Sequence, residues 1–127
     1  MAPSPDGPAQ DGQVPVYEDA LLRIRNTRDP PGLRLSGEVD RTNQAAVAAH
    51  LLAVDSTARR ITVDLREVAF LNFAGLHTLA AYAASLGPGQ VLVLRTSSAV
   101  IDTMLTACGW NRDNGLPLRL LQEIPDD

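Results

Sequence analysis

From Tyr17 onward the apolar positions follow two periods in turn. Leu22 and Ile24 alternate with Arg23 and Arg25, the signature of a half-exposed strand. Asp29-Pro30-Pro31-Gly32 is a strong turn signal. Leu33-Arg34-Leu35 resumes the alternation, so a β-hairpin is predicted, closing at Gly37-Glu38-Val39-Asp40. Val47, Leu51 and Val54 then recur at helical spacing, which predicts a helix from Thr42 or Asn43 to about Val54, with Thr42 as its N-cap. Ile61-Thr62-Val63-Asp64-Leu65 returns to strand, followed by a connection through Val68 and Phe70. Leu76, Leu79, Ala80, Ala83 and Leu86 form the buried stripe of a second helix. It begins near Ala74, is capped by Asn72, and is stopped by Gly87-Pro88-Gly89.

Val91-Leu92-Val93-Leu94 is a continuous apolar run between breakers, as expected of a strand buried on both faces. Ser97 or Ser98 would cap a third helix with stripe Ile101, Met104, Leu105 and Cys108, ended by Gly109. Leu116 to Leu121 predicts a last strand. The order ββ-α-β-α-β-α-β implies a single α/β domain, with a mixed, mostly parallel sheet packed against helices and an antiparallel hairpin at its start.

Residues 1–16, rich in Pro, Gly, Asp and Gln, predict a disordered tail. The domain is expected over 17–122 and a polar end over 123–127. At 127 residues there is room for one ordinary domain, large enough to bury a core without metals or disulfides. Aromatic residues make up only 4%, so that core must be aliphatic. The lone Cys108 excludes an intramolecular disulfide framework.

The net charge of −4, with no basic run, argues against general nucleic-acid binding. All 11 basic residues are arginine. That removes a P-loop lysine, a Schiff-base lysine and a lysine general base. No signal peptide or membrane-length apolar stretch is visible, so a cytoplasmic protein is expected.

Few residues suggest chemistry. Glu38, Asp40 and Asp64 invite an acid–base or metal reading, but turn and cap chemistry is the simpler one for Glu38 and Asp64. For Asp40 the alternatives stay open. His50 and His77 read as solvated helix positions without metal-ligand spacing, and an interfacial role is left open for His77. Cys108 reads as packing, Arg59-Arg60 as a solvated pair, and Trp110 as a cover over the third helix's end. The abrupt helix start at Asn72-Phe73-Ala74-Gly75-Leu76 is more informative. Its free N–H groups favour anions, and Gly75 permits close backbone approach. Phe73 either faces a partner or packs inward against Leu71 or Leu76; spacing alone does not choose.

Four segments in order, Leu35-Ser36-Gly37-Glu38-Val39-Asp40, Thr62-Val63-Asp64-Leu65, Phe70-Leu71-Asn72-Phe73-Ala74-Gly75-Leu76 and Cys108-Gly109-Trp110, resemble the STAS domain of anti-sigma-factor antagonists. The likeness spans Tyr17 to Gln122. It implies partner binding around the second helix's start through Asn72, Phe73, Ala74, Gly75 and Leu76, with Asp40, Arg41 and Thr42 in a neighbouring loop. In that family the start reads Asp-Ser-Ser/Thr-Gly, and the first Ser is phosphorylated by an anti-sigma-factor kinase. Here Asn72 replaces the Asp, Phe73 stands at the phosphoacceptor position, Ala74 replaces the next hydroxyl residue, and only Gly75 is kept.

Phe73 has no hydroxyl, so the charge that phosphorylation adds to disrupt docking cannot arise there. Thr78, a turn further on, is a poor substitute. The expected function is therefore a non-catalytic regulatory module that binds an anti-sigma factor or kinase-like signalling protein, with no cofactor, metal, direct DNA contact or membrane contact. Homodimerisation is left open. The alternative is a STAS-type scaffold or sensor for a nucleotide, lipid or other small ligand. An enzyme has the weakest support, since no catalytic constellation is visible.

Overall fold

The computed structural model describes residues 15–28, 30–54, 57–96, 103–104, 107 and 118–122. Their strands are β1 (Tyr17–Glu18), β2 (Leu22–Arg28), β3 (Pro31–Val39), β4 (Arg60–Leu71), β5 (Val91–Thr96) and β6 (Leu118–Gln122). Their helices are α1 (Gln44–Leu52) and α2 (Phe73–Ala84). The strands form one sheet in the order β1-β2-β3-β4-β5-β6. β1, β2 and β3 pair antiparallel, whereas β3, β4, β5 and β6 run parallel. This is the mixed, mostly parallel α/β sheet expected from the sequence, with the short β1 added at its edge.

Because each parallel crossover steps one strand in the same direction, crossovers of the usual hand place α1 and α2 on the same sheet face. Between helices and sheet lies one core. It joins Leu22 and Ile24 of β2, Leu33 and Leu35 of β3, Val63 and Leu65 of β4, and Leu92 and Leu94 of β5 to Val47, Leu51, Leu76 and Leu79 of the helices. Its large side chains are aliphatic, with Tyr82 the one aromatic among the buried members.

Three local expectations are corrected. The expected connection through Val68 and Phe70 is strand: β4 runs unbroken for 12 residues to Leu71. The pairing shifts register between Arg34 and Ser36 and again between Gly37 and Glu38. Such bulges break the period-two alternation that would have marked β4 as one strand. At the second shift Gly37 takes φ 107°, and a Cβ there would lie 2.0 Å from the Leu21 carbonyl oxygen. Only glycine fits that backbone.

Thr42 does not cap α1. The cap position is Asn43, fully buried, and its amide braces the preceding turn: Oδ1 accepts the Asp40 N–H at 2.9 Å and Nδ2 donates to the Glu38 carbonyl at 3.0 Å. Thr42 instead donates its N–H and its hydroxyl to Asp40 Oδ1, at 2.9 and 2.6 Å. His50 is half-buried rather than solvated. Its Nδ1 lies 2.8 Å from the Ala46 carbonyl oxygen, and its ring packs 5.9 Å from that of Tyr17.

The expected N-terminal tail falls largely outside the described residues, as do Asp29, the polar end, Cys108, Trp110 and most of the third helix. Of that helix, Thr103, Met104 and Ala107 are helical, and Met104 packs against the core. No described helix is long and apolar enough to cross a membrane.

Candidate functional site at the entrance to the second helix

Val39 and Leu71 are register partners at the C-terminal ends of adjacent parallel strands. The segments that leave those ends, Asp40–Asn43 and Asn72–Leu76, therefore emerge side by side, as do the loops at the carboxyl edge of other parallel sheets. The Asn72 N–H donates to the Val39 carbonyl at 3.1 Å and ties the second segment to the first strand. Asp40 closes its own turn through Thr42, so Arg41 and Thr42 stand exposed above the sheet edge. The resemblance implied that Asp40, Arg41 and Thr42 lie in a loop beside the helix entrance, and the parallel register brings that loop there.

Asn72 caps α2 as expected. Its backbone is extended, and Oδ1 accepts the Gly75 N–H at 2.7 Å. A Cβ at Gly75 would lie 2.9 Å from Leu71 Cδ1, 2.9 Å from Val39 Cγ1 and 3.0 Å from Asn72 Oδ1. This glycine is fixed by packing, since the helix start lies directly on the ends of β3 and β4. Gly75 and Leu76 are buried and shape the entrance from beneath. Ala74 is half-buried.

Phe73, the first residue of α2, is 60% exposed, and Phe70 at the end of β4 is 50% exposed. Both phenylalanines of this aromatic-poor chain thus lie in water near the same strand end. The inward packing of Phe73 is excluded, whereas nothing in the sequence pattern had marked Phe70. Thr78 Oγ1 is occupied within the helix, donating to the Ala74 carbonyl at 3.0 Å. His77 is exposed.

Asp64 lies in the middle of β4, not in a turn, and is 4% exposed. Arg66 grips it with Nε and Nη2 at 2.9 and 2.7 Å. Burial raises its pKa, but the Arg66 hydrogen bonds and charge, with the Arg95 charge, outweigh burial and hold the carboxyl below its usual value. Glu38 is exposed on β3. The three acids do not converge, and among the described residues no group of His, Cys, Asp and Glu could hold a metal ion.

Residues 22–122 match the family model described as Mlab, STAS domain. The chain belongs to the STAS domain family. A similar solved structure is the crystal structure of an anti-sigma factor antagonist from Mycobacterium paratuberculosis, with 22% sequence identity and a TM-score of 0.64. The match covers 77% of this chain and 83% of that one, a likeness of fold. No curated protein sequence matches this STAS domain.

Proposed function

We propose that this STAS domain is a non-catalytic regulatory module of the anti-sigma-factor-antagonist type. It docks on a protein partner, an anti-sigma factor or a related signalling kinase, through the entrance of α2. It acts in the cytoplasm and alters transcription through its partner, without contacting DNA. The observation that carries this reading is Phe73, exposed at the first position of α2 beside the Asp40–Thr42 loop. Exposed aromatic residues are costly in water and are enriched among the anchors of protein interfaces. The resemblance to the antagonists supplies the type of partner. The absent hydroxyl at position 73 makes docking independent of phosphorylation there.

Capture of partners from native lysate on the immobilised domain, followed by identification and titration, tests this reading. Wild type should retain an anti-sigma factor or kinase-like protein, and Phe73→Glu should weaken that complex at least tenfold while keeping the wild-type melting temperature. Incubation with the captured kinase and labelled ATP should leave this chain unlabelled. Equal affinity of wild type and Phe73→Glu would overturn the docking role, and label on the chain would overturn the loss of the switch.

A further inference from the structure

The sheet has a second face, turned away from α1 and α2. Side chains alternate across a strand, so the residues between the core positions lie on that face. Arg25 lies between Ile24 and Asn26 of β2, Arg34 between the buried Leu33 and Leu35, Asp64 between Val63 and Leu65, and Arg95 follows Leu94. Register pairing puts these four in one row: Arg25 opposite Arg34, Arg34 opposite Asp64, and Asp64 opposite Arg95. Adjacent strands lie roughly 4.8 Å apart, so the row spans about 14 Å. Arg66 reaches back to Asp64 from the same strand. Arg34 and Arg66 therefore pair with one buried carboxylate, with Arg95 opposite it and Arg25 one strand beyond Arg34, in a protein whose net charge is −4.

That carboxylate does not satisfy Arg34. Arg66 takes both of its oxygens, and Arg34 Nε is left 3.6 Å from Oδ2, beyond hydrogen-bond distance. The Nε groups of Arg25 and Arg34 are buried and have no hydrogen-bond partner. Of the described acidic residues on the neighbouring strands, Glu67 accepts from Ser36 Oγ at 2.7 Å, and Glu18 pairs with Arg23 at 2.7 Å. A buried donor without an acceptor is costly, and a guanidinium fork is shaped for a carboxylate.

We infer that the arginine row on the second face of the sheet is a docking surface for a short acidic segment of a partner protein. The charge complementarity is local. A short run of Asp and Glu side chains can supply acceptors along the row, whereas a long polyanion such as nucleic acid, or an anionic membrane, would also meet the repulsion of the molecule's overall negative charge. This surface is separate from the α2 entrance.

Fluorescence anisotropy with a short labelled peptide of alternating Asp and Glu tests the inference, with the Asn/Gln peptide of the same length, a single-stranded oligonucleotide and phosphatidylglycerol vesicles as the other arms. The acidic peptide should bind the full chain, more weakly as salt rises, and should shift amide resonances of β2, β3 and β4 around Arg25, Arg34 and Asp64. The amide peptide should not bind. The double variant Arg25→Ser, Arg34→Ser should lose about tenfold or more in affinity, the loss expected when charged hydrogen bonds are removed, while Phe73→Glu should bind the peptide as wild type does. Equal binding of the acidic and amide peptides, resonance shifts confined to another surface, tighter binding of the oligonucleotide or vesicles, or undiminished binding by a folded double variant would each overturn it.

Discussion

The Gly75 amide donates a 2.7 Å hydrogen bond to Oδ1 of Asn72, and this one contact sets where α2 begins. It satisfies one of the N–H groups that any helix start leaves without an intrahelical partner. It also fixes Phe73, one residue after the cap, at the rim of the sheet edge. The cap and the exposed ring are thus parts of the same turn.

Asn72→Ala should therefore lower stability by about 1 kcal/mol, the usual cost of a lost N-cap. Asn72→Asp should restore the cap. The first turn of α2 holds no acidic residue, so the new carboxylate would also meet the positive end of the helix and add about 0.3–1 kcal/mol. Urea denaturation of the three proteins at neutral pH checks the order Asp, Asn, Ala.

Gly75→Ala sets two effects against each other. Alanine is the better helix former by about 1 kcal/mol. Its Cβ, however, would press on Val39 Cγ1 and Leu71 Cδ1 in the core and on the capping oxygen of Asn72, and overpacking of this kind costs about 1–3 kcal/mol. Val39 is β-branched and fully buried, so it cannot easily yield. The expected result is a net loss of about 1 kcal/mol, measured by thermal or chemical denaturation, and a gain in stability would show that the strand ends relax.

Much of this arrangement was legible in the sequence, because the residues concerned act locally. Asn72 followed by a helical stripe marks a cap, and Gly75 marks a close approach whatever surrounds it. The hairpin, α2 and β5 likewise follow from periods that their own residues display. What escaped depends on partners far along the chain. β4 looked like a strand and a loop because its two register shifts against β3 disrupt the alternation. Asn43 displaced Thr42 at the α1 cap position because its amide serves the Glu38–Asp40 turn, a bond that propensity does not register. The outward direction of Phe73 depends on how α2 sits on Val39 and Leu71. The arginine row exists only once four strands are in register.

Tyr82 was also missed, since an aromatic residue beside the stripe of α2 reads equally well as surface. It is 9% exposed, its hydroxyl is buried without a hydrogen-bond partner, and burial raises its pKa. A buried hydroxyl with no partner forfeits its hydration and gains nothing in exchange. Tyr82→Phe should accordingly raise stability by about 1 kcal/mol at neutral pH. Loss of stability on this substitution would mean that the hydroxyl finds an acceptor in solution.

Asp64 gives the clearest dependence on pH. Its folded pKa lies below the ordinary 3.8, so the folded state holds the proton less tightly than the unfolded chain does. The contribution to stability is then fully present above about pH 4 and is lost as pH falls through the lower, folded pKa. Arg34 and Arg66 each keep about a third of their side chains in water, which screens the pairs. The screened contribution is about 1–2 kcal/mol, below the 3–5 kcal/mol of a fully buried broken pair. Asp64→Asn should cost that amount at pH 7, because it leaves the arginine row without its central anion. Denaturation of both proteins from pH 7 to pH 2 should show the two stability curves parallel down to about pH 4 and converging below it. A constant gap across that range would mean that Asp64 acts through its shape and hydrogen bonds alone, and that its charge does not hold the arginines.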